Sequence, residues 1–211
     1  TAMQMGRAIV MPNLRPPVRT ASDAEAYRDR ITACVPRECS FTPLMTLYLT
    51  DETTPDDVQF GRDSEVVTAI KYYPAHATTN SAEGVTDLRM AYGALNRMQR
   101  VRMPLLMHGE TVFRNGTLTD PFDREKIFIE ETLYPLLVQF PELRVVLEHI
   151  TTRDAVDFVM RMPGDRVGAT ITAHHLMLDR RDLISLSGLQ PHHYCLPVVK
   201  RGEDKVALRK A

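Results

Sequence analysis

Residues 66–74 (VVTAIKYYP) and residues 103–110 (MPLLMHGE) are two apolar runs on either side of a charged, helix-periodic stretch, residues 87–102. Apolar residues are nearly continuous in both runs rather than alternating with polar ones, which is typical of strands buried on both faces of a parallel sheet. Two parallel strands joined by a helix form a βαβ unit. This part of the sequence therefore indicates an α/β fold with a parallel sheet.

The same alternation of apolar run and helix-like stretch recurs along the rest of the chain. Four further apolar runs lie at residues 7–13, 41–50, 144–151 and 167–172. Helix-like stretches lie at residues 22–35, 54–64, 123–140, 152–161 and 179–186. Ser22 precedes Glu25 at capping-box spacing, and Thr152 also stands where a helix is expected to begin. We interpret residues 111–121 as an extended loop with a turn at Asn115-Gly116.

The composition limits the class of protein. The chain has 211 residues with 26 Lys and Arg against 27 Asp and Glu, and 44% of its residues are hydrophobic. These values exclude a strongly basic nucleic-acid coat and a disordered chain. No apolar run approaches the roughly 18 residues of a membrane helix. Cys34, Cys39 and Cys195 lack C-x-x-C spacing, which favours a reducing compartment. We therefore expect one soluble, cytoplasmic domain, residues 1–211, without a nucleic-acid or membrane partner.

Polar side chains stand at the points where the apolar runs end. Asn13, Lys71, His108 and His149 end four different runs. Parallel α/β sheets carry their functional sites at the carboxyl ends of their strands, so these side chains are expected to converge. Two imidazoles on successive strands indicate a metal site, and the alternative is a pair of hydrogen-bonded structural histidines.

Lys71 lies inside an otherwise apolar strand. A buried ammonium group is unfavourable, so this lysine must be paired, deprotonated or chemically converted. The structural interpretation is pairing with a neighbouring acid such as Glu148. The functional interpretations are a Schiff-base lysine and a lysine carbamylated by carbon dioxide, whose anionic carbamate can bridge two metal ions. The histidines on the next two strands favour the metal interpretation.

Longer motifs along the whole chain resemble one known family, in the same order. They include MPNLRPPV (11–18), KYYPAHATTNSAEGVTD (71–87), PLLMHGE (104–110), LEHITTRDAVDFV (147–159), ATITAHHLMLDR (169–180) and HHYCLPVVKR (192–201). On these residues the chain resembles the bacterial-type, monofunctional dihydroorotases of the amidohydrolase superfamily. Motifs of this length are far more specific than a signature of two residues.

The resemblance implies a (β/α)8 TIM-barrel metallo-hydrolase with two Zn2+ ions per protomer, acting as a homodimer. Its reaction is the reversible cyclisation of N-carbamoyl-L-aspartate to dihydroorotate in pyrimidine biosynthesis. By the same resemblance, Lys71 would carry the carbamate that bridges the metals, and His108 and His149 would hold the second metal. Tyr73 would support the carbamate from beside it.

The resemblance also implies residues that contact the substrate. Asn13 would bind the substrate carboxylate, and Leu196 would contact the pyrimidine ring through its backbone. Thr78 and Thr79 would belong to a catalytic loop that closes over the substrate and excludes water.

Two chemical parts of the family pattern are missing from this chain. The family carries His-x-His followed by an Arg on the first barrel strand, and this chain has no His before His76. The family also carries an Asp on the eighth strand, and no matching motif follows Val199. Asp154 and Asp179 are not substitutes, because each lies in or at the start of a helix-like stretch. We therefore expect an incomplete barrel of about strands 2 to 7, an internal fragment that is inactive alone.

Two alternative functions stay open. One is a non-catalytic, dihydroorotase-like scaffold for other pyrimidine enzymes, which need not bind zinc or carbamylate Lys71. The other is a different cyclic-amide amidohydrolase, such as a hydantoinase-like ring opener, which a comparison of dihydroorotate with hydantoin distinguishes.

Overall fold

The structure, a computed structural model, describes all 211 residues. In chain order its strands are β1 (Arg7–Val10), β2 (Thr42–Tyr48), β3 (Val67–Tyr72), β4 (Leu105–His108), β5 (Phe113–Arg114), β6 (Thr117–Leu118), β7 (Val145–Glu148), β8 (Val167–Ala169), β9 (Ile184–Ser185) and β10 (Gly188–Leu189).

Nine α-helices accompany these strands, and none of them has the length and apolar character needed to cross a membrane. They are α1 (Ala21–Ala33), α2 (Pro55–Asp63), α3 (Tyr92–Val101), α4 (Arg124–Phe128), α5 (Tyr134–Gln139), α6 (Arg153–Arg161), α7 (Ala173–Met177), α8 (Arg180–Leu183) and α9 (Gly202–Lys210). A π-helical turn (Ile129–Leu133) joins α4 to α5.

Six of the strands form one parallel sheet in the order β1-β2-β3-β4-β7-β8. The six predicted apolar runs supply these six strands, so the predicted α/β fold with a parallel sheet is confirmed. The sheet does not close, because β1 and β8 stand at its two edges. It is an incomplete barrel, as the sequence predicts.

Side chains alternate across each strand, which gives the sheet two different faces. One face packs against the helices and contributes apolar side chains such as Leu47, Ile70 and Leu105 to a cluster of 30 buried residues. Lys71 and His108 alternate with these apolar positions along their strands and therefore lie on the opposite, inner face. The outer face stabilises the fold, and the inner face carries the polar residues.

The first helix begins two residues earlier than the capping pattern at Ser22 predicts. Thr20 is its N-cap: the Thr20 hydroxyl accepts a hydrogen bond from the backbone N–H of Asp23 (3.1 Å), and the Asp23 carboxylate accepts one from the backbone N–H of Thr20 (3.0 Å). Thr20 and Asp23 have the same three-residue spacing as Ser22 and Glu25, so two patterns compete within one turn. The predicted N-cap at Thr152 is confirmed, since its hydroxyl accepts from the N–H of Ala155.

Two short hairpins occupy segments that the sequence analysis interpreted differently. Residues 111–121 hold the hairpin β5–β6, with Asn115 and Gly116 at φ values of 51° and 76° in the predicted turn. The interpretation of this segment as a loop was therefore wrong, although the turn was right. Residues 179–186 contain only the short helix α8 before the hairpin β9–β10, which turns near Gly188 at φ 100°.

Candidate active site

The predicted site residues meet at one cavity of about 320 Å³ near the carboxyl ends of β3, β4 and β7. Its lining consists of Met11, Asn13, Lys71, Tyr73, Thr78, His108, Glu148, His149, Thr170, Thr172 and Leu196. Of the residues selected from sequence, only Thr79 lies outside this lining. The structure thus brings together residues from all parts of the chain, as the strand-end argument predicts.

Lys71 is buried in this cavity and forms an ion pair with Glu148; their side chains are 1% and 12% exposed. The Lys71 Nζ also lies 4.9 Å from the centre of the Tyr73 ring. Burial lowers the pKa of Lys71, and the Glu148 carboxylate opposes this effect. Lys71 is therefore paired with Glu148, as its structural interpretation expects, and this pairing does not decide between that interpretation and the functional ones.

The two cavity histidines are neighbours. The ring centres of His108 and His149 are 4.9 Å apart, with the rings at 70° to each other. His149 has a positive φ of 44°, and its backbone N–H donates a hydrogen bond to the Thr170 hydroxyl (2.9 Å). Burial, followed by the charge of Lys71, lowers the pKa of His149 to about 2. This imidazole is therefore neutral near pH 7, which is the form that binds metal.

The loop after β3 is tied to the segment after β1 at the rim of the cavity. The Asn13 side-chain amide donates a hydrogen bond to the Thr79 carbonyl (3.0 Å), and the Asn80 side-chain amide donates one to the Asn13 carbonyl (3.0 Å). The Tyr48 hydroxyl donates to the Asn80 carbonyl (3.2 Å). Thr78 lines the cavity, whereas Thr79 is exposed and is joined to Asn13 through its backbone carbonyl.

Sequence reasoning missed two polar residues of the lining, Thr170 and Thr172. Both follow β8, at the end of the apolar run at residues 167–172. The strand-end criterion that selected His108 and His149 could have found them. Met11 gives no such signal, because a methionine at the end of an apolar run is most simply a core residue.

The chain provides few protein ligands for a metal ion. No group of three or more His, Cys, Asp and Glu side chains is placed to hold one. Within the cavity, His108 and His149 offer two nitrogen ligands, and a third would have to come from a modified Lys71. Asp154 lies in α6 with Lys126 3.7 Å away, and Asp179 caps α8, so neither reaches the cavity.

A larger groove of about 960 Å³ runs along the unpaired edge of β1 and the side of α1. Ile9, Tyr27, Ile31 and Phe41 are among its lining residues, which include no histidine and only one carboxylate, Asp23. This groove is apolar surface at the open edge of the sheet. The small polar cavity is therefore the candidate active site.

Known proteins resemble this chain in sequence and in fold, although no family model matches it. A dihydroorotase from Microcystis aeruginosa is 54% identical over 211 residues, which are 100% of this chain and 60% of that protein. The solved dihydroorotase of Campylobacter jejuni is 37% identical with a TM-score of 0.85, covering 98% of this chain and 58% of its own. A Saccharomyces cerevisiae dihydroorotase solved in complex with 5-fluoroorotic acid is 33% identical with a TM-score of 0.85, covering 97% and 57%.

These similarities extend over the whole chain rather than over isolated motifs. The chain spans about 60% of the length of the curated relatives that it matches. The relatives that are similar in sequence and the solved structures that are similar in fold are both dihydroorotases. The chain is therefore homologous to bacterial dihydroorotases, and its open six-stranded parallel sheet matches the fold of solved dihydroorotases.

Proposed function

We propose that this protein acts as a dihydroorotase, which reversibly cyclises N-carbamoyl-L-aspartate to (S)-dihydroorotate in the biosynthesis of pyrimidines. The observation that carries this proposal is the meeting of Lys71, His108 and His149 in one cavity of a chain 54% identical to a dihydroorotase. The complex of the yeast relative with 5-fluoroorotic acid supports a cyclic ligand that bears a carboxylate.

Our proposal includes carbamylation of Lys71. The neutral Nζ would add to the carbon of carbon dioxide, and the proton that it loses would go to solvent, which leaves an anionic carbamate. Burial favours the neutral amine that this step requires, because it lowers the pKa of Lys71. Carbamylation reverses the charge beside Glu148, so the carbamate needs a bound cation to offset the repulsion between the two anions.

Two imidazoles and a carbamate are ligand types that suit one zinc ion. His108, His149 and the carbamylated Lys71 would hold it. Zinc bound there would supply Lewis-acid polarisation of a substrate carbonyl and activation of water. The resemblance implies a second zinc ion, and this chain has no His-x-His motif that could supply its histidine ligands.

The remaining cavity residues would bind and enclose the substrate. The Asn13 amide, now bonded to the Thr79 carbonyl, would donate to the substrate carboxylate. The Thr78 hydroxyl and the loop that carries Thr78 and Thr79 would close over the substrate and exclude water. The Leu196 backbone would contact the ring, and Tyr73, whose ring lies beside Lys71 Nζ, would orient the carbamate.

A chimera tests this function. This chain replaces the aligned 211 residues of the Microcystis aeruginosa relative, and the ring opening of dihydroorotate and of hydantoin is measured for the chimera. We expect turnover of dihydroorotate and no opening of hydantoin above the rate in buffer. A folded chimera that opens neither substrate contradicts the proposal, and a preference for hydantoin supports the hydantoinase-like alternative.

One observation favours a second candidate, a non-catalytic scaffold for other pyrimidine enzymes. The Lys71–Glu148 pair neutralises both charges without any metal ion, and no ready group of three metal ligands exists. Zinc content separates the two candidates, because a scaffold of this kind needs neither zinc nor a carbamate. Absence of bound zinc from the folded chain after equilibration with the metal would favour the scaffold.

We further propose that the protein is a cytoplasmic homodimer whose partner is the small-molecule substrate, without a nucleic-acid or membrane partner. The formal net charge of −1 supports the absence of a polyanionic partner. Light scattering of the purified protein measures the oligomeric state, and a monomer mass across the accessible concentration range contradicts the dimer.

A further inference from the structure

Glu110 is a buried carboxylate beside the candidate active site that the proposed reaction does not use. The side chains of His108 and Glu110 are each 1% exposed, and His108 Nε2 lies 2.9 Å from Glu110 Oε2. This is the one hydrogen bond that the His108 ring makes. His108 lines the cavity and Glu110 does not, so Nε2 points away from the cavity and Nδ1 is the nitrogen left to face it.

A buried cation stands near Glu110. Lys200 is 3% exposed, and its Nζ donates a hydrogen bond to the Val198 carbonyl (2.9 Å). Burial lowers the pKa of Lys200, and the carboxylates of Glu125, Glu110 and Asp204 act in the opposite direction. Glu110 is thus one of three carboxylates whose charge acts on this buried lysine.

The other two carboxylates near Lys200 already accept several hydrogen bonds each. Glu125 accepts hydrogen bonds from the backbone N–H and hydroxyl groups of Thr151 and Thr152. Asp204 accepts from the backbone N–H groups of Arg153 and Arg201. Glu110 differs from both, because its Oε1 is buried without a partner and its Oε2 bonds only to His108.

We infer that Glu110 is a positioning residue for His108. Its carboxylate accepts a hydrogen bond from Nε2–H, which favours the Nε2–H tautomer of the imidazole and leaves the lone pair of Nδ1 directed at the cavity. Histidines that bind metal are commonly held in this way by a carboxylate on the other ring nitrogen. The tautomer can be measured in the metal-free chain and does not depend on the proposed function. The use of Nδ1 as a metal ligand, in contrast, rests on the proposed function.

The tautomer distinguishes this role from a purely structural one. The opposite tautomer, with the ring proton on Nδ1, would block that nitrogen as a metal ligand. Nuclear magnetic resonance of the metal-free chain with 15N-labelled histidine reads the protonation of each ring nitrogen directly. We expect a protonated Nε2 and an unprotonated Nδ1 for His108 at pH 7. A proton on Nδ1 in the unsubstituted chain overturns the inference.

Two variants extend the test to metal binding. In Glu110→Gln the amide can donate as well as accept, so we expect the Nδ1–H tautomer to appear and the zinc affinity to fall roughly 10- to 100-fold. The matched control is Glu131→Gln, whose carboxylate is 42% exposed and paired with Arg114, and it should leave both readouts unchanged. Zinc affinity is measured by competition with a chromophoric chelator.

The outcomes separate this inference from the proposed function. If the unsubstituted chain binds no zinc, the metal proposal fails, and the tautomer alone decides the role of Glu110. If zinc binds and Glu110→Gln binds it equally well with an unchanged tautomer, the positioning role is overturned. Because the substitution of a buried carboxylate can prevent folding, the tautomer of the unsubstituted chain is the primary measurement.

Discussion

Lys71 on β3 and Glu148 on β7 form an ion pair across the inner face of the sheet, with β4 between their strands. The pair explains how a lysine can occupy a strand whose other residues are mostly apolar. It also makes the two residues interdependent, because the removal of either partner leaves a nearly buried charge without compensation.

Loss of Glu148 should therefore destabilise the chain. We expect Glu148→Gln to lower the free energy of unfolding by about 3 kcal/mol, since it leaves the ammonium group of Lys71 buried and unpaired. The double variant Lys71→Met/Glu148→Gln should recover part of this loss. Urea denaturation at pH 7 measures both values, with Glu131→Gln as the exposed control. A change of less than about 0.5 kcal/mol for Glu148→Gln alone would contradict this account.

The loop that carries Thr78 depends on the absence of a side chain at Gly84. A Cβ atom there would lie 2.5 Å from the Tyr73 carbonyl oxygen and 3.0 Å from the Ser81 carbonyl oxygen. Both atoms belong to the backbone, so no side-chain rotation can relieve the clash. Gly84→Ala should therefore destabilise the chain by about 1–3 kcal/mol. Gly164→Ala is the control, because a Cβ atom at Gly164 meets nothing within 4 Å. Equal denaturation midpoints for the two variants would show that the loop tolerates the side chain.

Asp179 makes the stability depend on acid pH. The Arg181 guanidinium holds the pKa of Asp179 well below its usual range, burial opposes this shift, and Lys205 at 2.7 Å reinforces it. A carboxyl whose pKa is lower in the folded chain contributes stability above its unfolded pKa of about 3.9, and this contribution is lost as the pH falls further.

Removal of the Asp179 charge tests this dependence. We expect Asp179→Asn to lower the free energy of unfolding at pH 7 by about 1–2 kcal/mol. The difference from the unsubstituted chain should shrink progressively below about pH 4. Asn can still cap α8, so the difference reports the charge rather than the cap. Urea denaturation at pH 7 and pH 3 is the measurement, with Asp154→Asn as the half-exposed control. A difference that is the same at both pH values excludes this role of the charge.

The chain alone should not catalyse ring closure. It lacks the His-x-His, Arg and Asp of the family pattern, and under our proposal it offers ligands for only one zinc ion. We expect the zinc-supplemented 211-residue chain to convert N-carbamoyl-L-aspartate no faster than buffer does. The chimera with the Microcystis aeruginosa relative serves as the positive control. Measurable turnover by the chain alone would show that those residues are not required.

Sequence periodicity predicted the parallel sheet and the meeting of Lys71, His108 and His149, because strand ends in such sheets share one edge. It failed for the helix start at Thr20 and for the hairpin β9–β10. In the first case two capping patterns lie within one turn, and in the second the strands are too short to show a period. The hydrogen bond from His108 to Glu110 was also not predicted, since the direction of a side chain beyond a strand end depends on tertiary packing.

The most direct test of the central claim is 13C nuclear magnetic resonance of the chain with 13C-labelled bicarbonate, combined with its zinc content. The account predicts one carbamate signal and about one bound zinc ion per chain, held by Lys71, His108 and His149. The carbamate signal and the bound zinc ion should both be absent from Lys71→Met. The carbamate signal should also be absent when zinc is withheld, because the negative charges of the carbamate and of Glu148 would then repel each other. Zinc bound without a carbamate signal, or a folded chain that binds no zinc, would contradict the account.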